Sequence, residues 1–205
     1  MKALLKALVR AVATACVVPL WLSFHLHALL VGKDRSLEDH TECLALWPGL
    51  SGRYLRQAFL ALVLEECHPS ATISFGCLFS RVGARIGPRV YIGPRCHIGL
   101  ATLEEDVLLA AGVHVLSGAR THGTDDPTKP IRDQEGTLSR VRIGAGSWVG
   151  SAAVVMADIG RRSIVGAGAV VARPLPDDVV AAGVPARVVR ARFPTAPVVS
   201  NTPSE

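Results

Sequence analysis

An aliphatic residue recurs at six-residue intervals through the middle of this chain, with a five-residue step after Ile98 and a four-residue step after Val155. The series comprises Ile86, Ile92, Ile98, Leu103, Leu109 and Val115, and then, after an interruption, Ile143, Val149, Val155, Ile159, Val165 and Val171. Neither the helical period of 3.6 nor the strand period of 2 accounts for this spacing. A fixed short repeat instead predicts a solenoid, in which each unit buries its apolar face by stacking on its neighbours.

Glycine directly follows many of these aliphatic residues, as in Ile86-Gly87, Ile92-Gly93 and Ile98-Gly99. Glycine reaches turn conformations without steric cost, so each six-residue unit reads as a short strand followed by a corner. Three such units form one triangular coil with the aliphatic side chains pointing inward. We therefore predict a β-solenoid over residues 71–191, interrupted by a long loop at residues 119–140.

The end of the repeat carries a specific signature. It reads Val165-Gly-Ala-Gly-Ala-Val-Val-Ala-Arg173 and then Pro176-Asp-Asp-Val-Val-Ala-Ala-Gly-Val-Pro-Ala-Arg-Val-Val-Arg190. This signature resembles the hexapeptide-repeat acyltransferase superfamily, and in particular its sugar and exopolysaccharide O-acetyltransferases. The resemblance implies a mainly β fold, a left-handed parallel β-helix with N-terminal helices and one long catalytic loop. It also implies a homotrimer with active sites at subunit interfaces, and acetyl-CoA as acyl donor. The handedness rests on the resemblance alone, because the general rule for parallel crossovers predicts the opposite hand.

The first 33 residues form a separate apolar segment. Three basic residues, Lys2, Lys6 and Arg10, precede an uncharged run over residues 11–32. The run is long enough to span a bilayer, which takes about 20 residues. A signal peptide is disfavoured because no small-x-small cleavage site follows the run.

Three interpretations of this segment stay open. A full span would place the enzyme outside, away from a cytosolic acyl donor. A soluble helix packed on its own trimer is a second possibility. We favour an interfacial or re-entrant helix, broken near Pro19, because His25 and His27 are costly at a bilayer centre. This interpretation places the protein on the cytoplasmic face of the inner membrane, with the membrane surface as a partner.

Residues 34–70 are expected to hold a polar connector and then a helix at residues 52–66 that caps the open end of the solenoid. Apposition of this helix to a membrane is the alternative. Residues 192–205 are rich in Pro, Ser and Thr, and we expect a flexible tail there.

The composition limits the classes of partner that this protein is expected to bind. The formal net charge of +5 could suggest nucleic acid, but the basic residues are scattered and no aromatic platform accompanies them. An anionic cofactor or membrane surface fits better, and we expect no nucleic-acid partner. The 5 cysteines show no Cys-x-x-Cys spacing, which argues against a disulfide framework or a zinc ribbon.

The inserted loop carries the main catalytic candidate. A loop of this length in a compact domain is usually functional or disordered. In the family that the sequence resembles, a loop at this point reaches towards the neighbouring subunit and carries the catalytic histidine, which matches His122 in Arg-Thr-His-Gly-Thr-Asp-Asp-Pro. Histidine can take the proton of a sugar hydroxyl and return one to the leaving thiolate, so no covalent acyl-enzyme is needed.

The same resemblance assigns further residues. Trp148 would flank the cleft, and Ser151 would lie near the thioester carbonyl. The coenzyme A arm would run along Gly166, Ala167 and Gly168. The remaining candidates are Arg173, Arg187 and Arg190 for the nucleotide phosphates, and His97, His114, Asp125 and Asp126 for the acceptor cleft.

The sequence thus predicts an acetyl-CoA-dependent O-acetyltransferase acting on a sugar hydroxyl of a membrane-associated surface polysaccharide or glycolipid precursor. Within the class, N-acetylation of an amino sugar stays open, whereas serine O-acetylation is disfavoured because the long acidic helical domain of those enzymes is missing. From other classes, a γ-type carbonic anhydrase and a non-catalytic scaffold stay open. His97, His114 and His122 do not match the closely spaced zinc ligands of the former, so we expect no metal.

Overall fold

The computed structural model describes residues 2–193 of the chain. Its N-terminal part consists of three helices, α1 (Lys2–Val31), α2 (Lys33–Ala45) and α3 (Gly49–Val63). Gly32 separates α1 from α2 with a φ of 84°, in the left-handed region that glycine adopts without steric cost. The predicted flexible tail lies outside the described residues from residue 194 onwards.

Helix α1 runs without interruption through Pro19, so the expected break near that residue is absent. A proline inside a helix removes one backbone hydrogen bond and crowds the preceding turn. Packing compensates for this loss, because Ala13, Val17 and Phe24 are buried in the core that α1 shares with α2 and α3. The chain therefore turns at Gly32 and not at Pro19.

Helix α2 occupies most of the segment that we expected to be a polar connector. Its buried side contains Leu37 and Leu44, together with the polar residues Ser36 and His40. The ring of His40 stacks on Phe59 of α3, with 5.9 Å between centroids, and its Nδ1 lies 2.7 Å from the carbonyl oxygen of Ser36. Because half of its packing face is polar, α2 does not show a helical pattern of apolar residues in the sequence.

Sixteen short strands follow the helices in the described part of the chain. They are β1 (Glu66–Cys67), β2 (Thr72–Ile73), β3 (Leu78–Phe79), β4 (Arg85–Ile86), β5 (Tyr91–Ile92), β6 (His97–Ile98), β7 (Ala101–Leu103), β8 (Leu108–Leu109), β9 (His114–Val115), β10 (Val141–Ile143), β11 (Trp148–Val149), β12 (Val154–Val155), β13 (Ile164–Val165), β14 (Val170–Val171), β15 (Val179–Ala182) and β16 (Arg187–Ala191). The first strand thus begins before the boundary that we expected at residue 71.

The strands form three parallel sheets on the three sides of a prism. Sheet A has the order β1-β4-β7-β10, sheet B the order β2-β5-β8-β11-β13-β15-β16, and sheet C the order β3-β6-β9-β12-β14. The chain visits the three sheets in turn over about 6 coils, which confirms the predicted left-handed parallel β-helix. Only the pairing of β15 with β16 is antiparallel among the described strands, a closing hairpin that the repeat does not predict.

The repeated aliphatic residues fill the inside of the prism. Ile92 pairs in register with Leu109, and both are fully buried, as are the equivalent residues of the other coils. The glycine after each of them lets the coils approach closely. A Cβ built on Gly93 would lie 2.6 Å from the carbonyl carbon of Ala110, far below a van der Waals contact.

Helix α3 covers the first coil of the β-helix, where it contacts β1 and β2. The buried Arg56 side chain donates from Nε to the carbonyl oxygen of Ile73 at 3.2 Å, and from Nη1 to those of Leu44 and Trp47. The first bond supplies a partner to a strand carbonyl at the open end of the β-helix, and the other two supply partners to carbonyls at and just after the end of α2.

Candidate active site

The turns that connect sheet B to sheet C form one long edge of the prism. In the last three of these turns, residues 110–112, 150–152 and 166–168 are all glycine, alanine or serine, and we call this part of the edge the small-residue edge. The N–H of Gly168 donates to the carbonyl oxygen of Ser151 at 2.8 Å, and that of Ala152 donates to Ala111 at 2.9 Å. The turns are therefore stacked in register, and they leave room for a long, thin ligand along the edge.

Several residues that the sequence predicted for the thioester and for the coenzyme A arm lie at or beside this edge. Ser151 and residues 166–168 are part of it, and Trp148 lies just beside it on the outer face of sheet B, with 48% of its surface exposed. Sequence reasoning missed Ala111 and Gly112, which occupy the same edge one coil earlier. The pairing of Leu109 with Val149 places Ala111 level with Ser151. The six-residue repeat, if it is continued across the inserted loop, would have identified Ala111 from the sequence.

The three predicted phosphate-binding arginines are exposed near the C-terminal end of the β-helix. Arg173 follows β14, and Arg187 and Arg190 both lie on β16. The guanidinium groups of the latter two donate to backbone carbonyls, and no ion pair within residues 2–193 includes any of the three. Their charge is thus available to an anionic group.

The long loop between β9 and β10 leaves the prism at a different edge, between sheets C and A. Its two arms run side by side, because the N–H of Ser139 donates to the carbonyl of Ser117 at 2.9 Å and that of Thr137 donates to Arg120 at 2.7 Å. The Gln134 amide bonds the backbone of Asp126 and Lys129 and closes the tip of the loop. A short 3-10 helix, Ile131–Asp133, completes it.

His122 is exposed and lines a concavity of about 390 Å³ within this loop. Asp125 lines the same concavity, as do Arg120 and Glu135, two charged residues that the sequence did not single out. Asp126 contributes to the structure of the loop. Its carboxylate accepts hydrogen bonds from the side chain and the N–H of Thr128, and these bonds lower the pKa of Asp126 and hold the loop tip together.

His97 and His114 lie one above the other on the outer face of sheet C, with 6.1 Å between ring centroids. Partial burial lowers the pKa of His97, and the neighbouring His114 lowers it further. A second concavity, of about 240 Å³, lies between His97 and the Glu38 and Glu42 side chains of α2. The histidine pair thus occupies the face that separates the small-residue edge from the root of the loop.

The structure does not bring all predicted residues together within one chain. His122 belongs to a loop at the edge between sheets C and A, whereas Ser151 and Trp148 belong to the edge between sheets B and C. None of the hydrogen bonds or ion pairs among residues 2–193 joins the tip of the loop to the small-residue edge. The same residues contain no group of three or more His, Cys, Asp or Glu side chains that could hold a metal ion.

The fold and its edge define a left-handed β-helix protein with a surface track for an extended ligand. No protein-family profile matches the chain. It is 31% identical over 163 residues to galactoside O-acetyltransferase of Escherichia coli K12, a match that covers 69% of this chain and 80% of that protein.

Solved acetyltransferase structures share the fold. The maltose O-acetyltransferase of Clostridium difficile 630 superposes with a TM-score of 0.64 at 17% identity, and the match covers 78% of this chain and 89% of that one. A hexapeptide-repeat-containing acetyltransferase of Vibrio cholerae superposes with a TM-score of 0.61 at 20% identity, over 79% and 94% of the two chains. The chain belongs to the hexapeptide-repeat acetyltransferases. It is therefore an acetyltransferase, with acetyl-CoA as its acyl donor.

Proposed function

We propose that this protein transfers an acetyl group from acetyl-CoA to a sugar hydroxyl, with His122 as general base. The observation that carries the proposal is the combination of a smooth small-residue edge with an ordered loop that presents an exposed histidine in a concavity. The similarity to a galactoside O-acetyltransferase supports a sugar as acceptor. N-acetylation of an amino sugar is the alternative within the class.

In the proposed reaction, an unprotonated nitrogen of His122 removes the proton of the sugar hydroxyl as its oxygen attacks the thioester carbonyl. The C–O bond forms and the carbonyl becomes a tetrahedral oxyanion, which the Ser151 hydroxyl can stabilise by a hydrogen bond. The C–S bond then breaks, and the imidazolium returns its proton to the departing coenzyme A thiolate. The products are an acetyl ester and coenzyme A.

The donor would lie along the small-residue edge. Residues 166–168 carry no side chain larger than a methyl group, so the pantetheine arm can approach the backbone closely. Trp148 would border the reacting end, and Arg173, Arg187 and Arg190 would bind the phosphates by charge-assisted hydrogen bonds.

The separation of His122 from this edge leads us to propose a homotrimer. The outer face of sheet B exposes Tyr91, Leu108 and Trp148, whereas the outer face of sheet A presents charged residues such as Arg85 and Arg142. An apolar face beside a charged one is the pattern expected where sheets B and C meet neighbouring copies and sheet A faces water. In such an assembly, the loop of one copy can reach the small-residue edge of the next.

We further propose a lipid-linked saccharide, a precursor of a surface polysaccharide or a glycolipid, as the acceptor. This proposal rests on the apolar helix α1, the one described helix that is long and apolar enough to cross a membrane, over Leu4–Val31. Such precursors are held at the bilayer, and the cytosol supplies acetyl-CoA. The proposed location is therefore the cytoplasmic face of the inner membrane.

The test is release of coenzyme A thiol from acetyl-CoA with galactosides, maltose, an amino sugar and a membrane extract as acceptors. We expect His122→Ala to lower turnover by about 10²–10⁴-fold while coenzyme A binding is retained. His25→Ala, which changes an exposed histidine on α1, is the matched control and should leave turnover with a soluble acceptor unchanged. Unchanged turnover in His122→Ala would contradict the assignment and transfer it to His114.

A further inference from the structure

Helix α1 is apolar on two opposite sides. One side, which includes Ala13, Val17 and Phe24, is buried against α2 and α3. The other side is exposed and follows the helical spacing of three to four residues for most of its length. It comprises Leu4, Leu8, Val12, Val18, Leu22, Leu26 and Leu29, each between 41% and 82% exposed. Such a stripe exceeds the scattered apolar residues of an ordinary protein surface.

A second group of exposed apolar residues lies at the corner between α2 and α3. Leu46, Trp47 and Leu50 are all more than half exposed there. A largely apolar concavity of about 340 Å³ between Leu5 and Leu50 shows that this corner lies beside the N-terminal half of α1. The indole N–H of Trp47 donates to the Ser51 hydroxyl at 3.2 Å, so its apolar ring has a polar end, as is typical of tryptophan at a membrane interface.

The formal charges on α1 itself have one sign, although Asp39 of α2 lies 3.8 Å from His27. Helix α1 contains no acidic residue between Leu4 and Val31, whereas Lys6 and Arg10 lie near its start and Lys33 follows its end. Arg53 adds a further exposed positive charge on α3. None of these four residues takes part in an ion pair within the described chain. An apolar stripe with basic ends is complementary to an anionic lipid surface.

The buried side of α1 determines how the helix can meet a bilayer. The Ser36 hydroxyl donates to the carbonyl of Phe24 at 2.9 Å, and His40 Nε2 lies 3.2 Å from the Ser23 hydroxyl. A spanning α1 would have to leave these partners and expose Phe24 and Phe59, which are now buried. While the contacts persist, α1 can only lie along the surface, with its exposed stripe towards the acyl chains.

We propose that α1 and the corner at residues 46–50 form a monotopic docking surface for anionic lipid bilayers, with α1 in the plane of the interface. A second copy of the chain fits this surface less well. Pairing of two α1 helices in either direction brings basic ends together, since Lys6, Arg10 and Lys33 lie at its two ends. The inference does not depend on the catalytic role of His122, so each can fail without the other.

Vesicle co-sedimentation of the full-length protein tests the proposal. Vesicles of phosphatidylcholine with phosphatidylglycerol should sediment the wild type, and pure phosphatidylcholine should do so more weakly. The double variant Leu22→Glu/Leu26→Glu should lower binding by about 10²-fold or more, because two leucines leave the acyl region. Val188→Glu/Val189→Glu, which adds the same charge to exposed positions of β16, is the control and should still bind.

Two results would overturn the proposal. In the first, the wild type stays in the supernatant with both lipids, and Leu22→Glu/Leu26→Glu lowers the oligomer mass, which would make this surface a contact between copies. In the second, a tag on the N-terminus becomes protected from external protease after the protein is added to sealed vesicles, which would show that α1 spans. Cleavage of the tag from vesicle-bound protein supports the in-plane arrangement.

Discussion

The packing of α1 on the rest of the protein can be tested at Phe24. This side chain is 1% exposed and makes edge-to-face contacts with His40 and Phe59, with ring centroids 5.9 Å and 6.1 Å away. Truncation of a buried phenylalanine to alanine costs about 3–5 kcal/mol. We therefore expect Phe24→Ala to lower the free energy that is needed to detach α1 from α2 and α3 by at least about 3 kcal/mol. This change corresponds to roughly 10²-fold faster amide exchange in α1.

Hydrogen exchange of the full-length protein, read from peptides of α1 and α2, measures this effect directly. Leu26→Ala is the matched control, because Leu26 lies on the same helix and is 68% exposed. It should change exchange by less than a factor of about 3, as surface substitutions usually do. Equal effects of the two variants would show that α1 is not held by the contacts described above, and the argument against a spanning α1 would fail with them.

Three further predictions concern the β-helix. Gly93→Ala should destabilise the protein by about 1–3 kcal/mol in urea unfolding, because its Cβ would meet the backbone of Ala110. Gly83→Ala is the control and should cost less, because the nearest neighbour of its Cβ is the movable Leu100 side chain. A thiol reagent should modify only Cys16 and Cys43 in the native protein, since the other three cysteines are buried. Burial also raises the pKa of Cys67 to about 12. Rapid reaction of a third thiol would contradict this prediction. Because the pKa of His97 is lowered in the folded state, the unfolded chain binds more protons, and stability should fall as the pH drops below about 6.5. His97→Asn should make that fall shallower in urea titrations at several pH values, and an unchanged slope would refute the attribution.

The repeat made the fold predictable because each buried aliphatic residue is followed by a corner residue, and this local rule determines one coil after another. Ile92, Leu109 and Val149 lie where their spacing placed them. The helices were harder to predict. Helix α2 packs through Ser36 and His40, whose hydrogen-bond partners lie on α1 or within α2, so an apolar pattern is missing. Pro19 is tolerated in α1 because distant residues supply the packing.

The candidate site was partly predictable for the same reason. Ser151 and residues 166–168 occupy equivalent positions of the six-residue repeat, so the repeat itself predicts that they lie on a common edge. The concavity around His122 depends instead on bonds between the two arms of the loop, such as that from Thr137 to Arg120, which no periodicity encodes. The position of Glu135 beside His122 could not be predicted from the spacing of residues in the sequence.

The proposed active site is shared between copies, and subunit complementation tests this most directly. His122→Ala removes the proposed base from the loop, and Ala167→Trp blocks the small-residue edge at an exposed position. Each homotrimer should be inactive, but mixed trimers assembled from equal amounts should recover about one quarter of wild-type turnover, because one site in four combines an intact loop with an intact edge of its neighbour. Mixed trimers no more active than either parent would contradict the shared site.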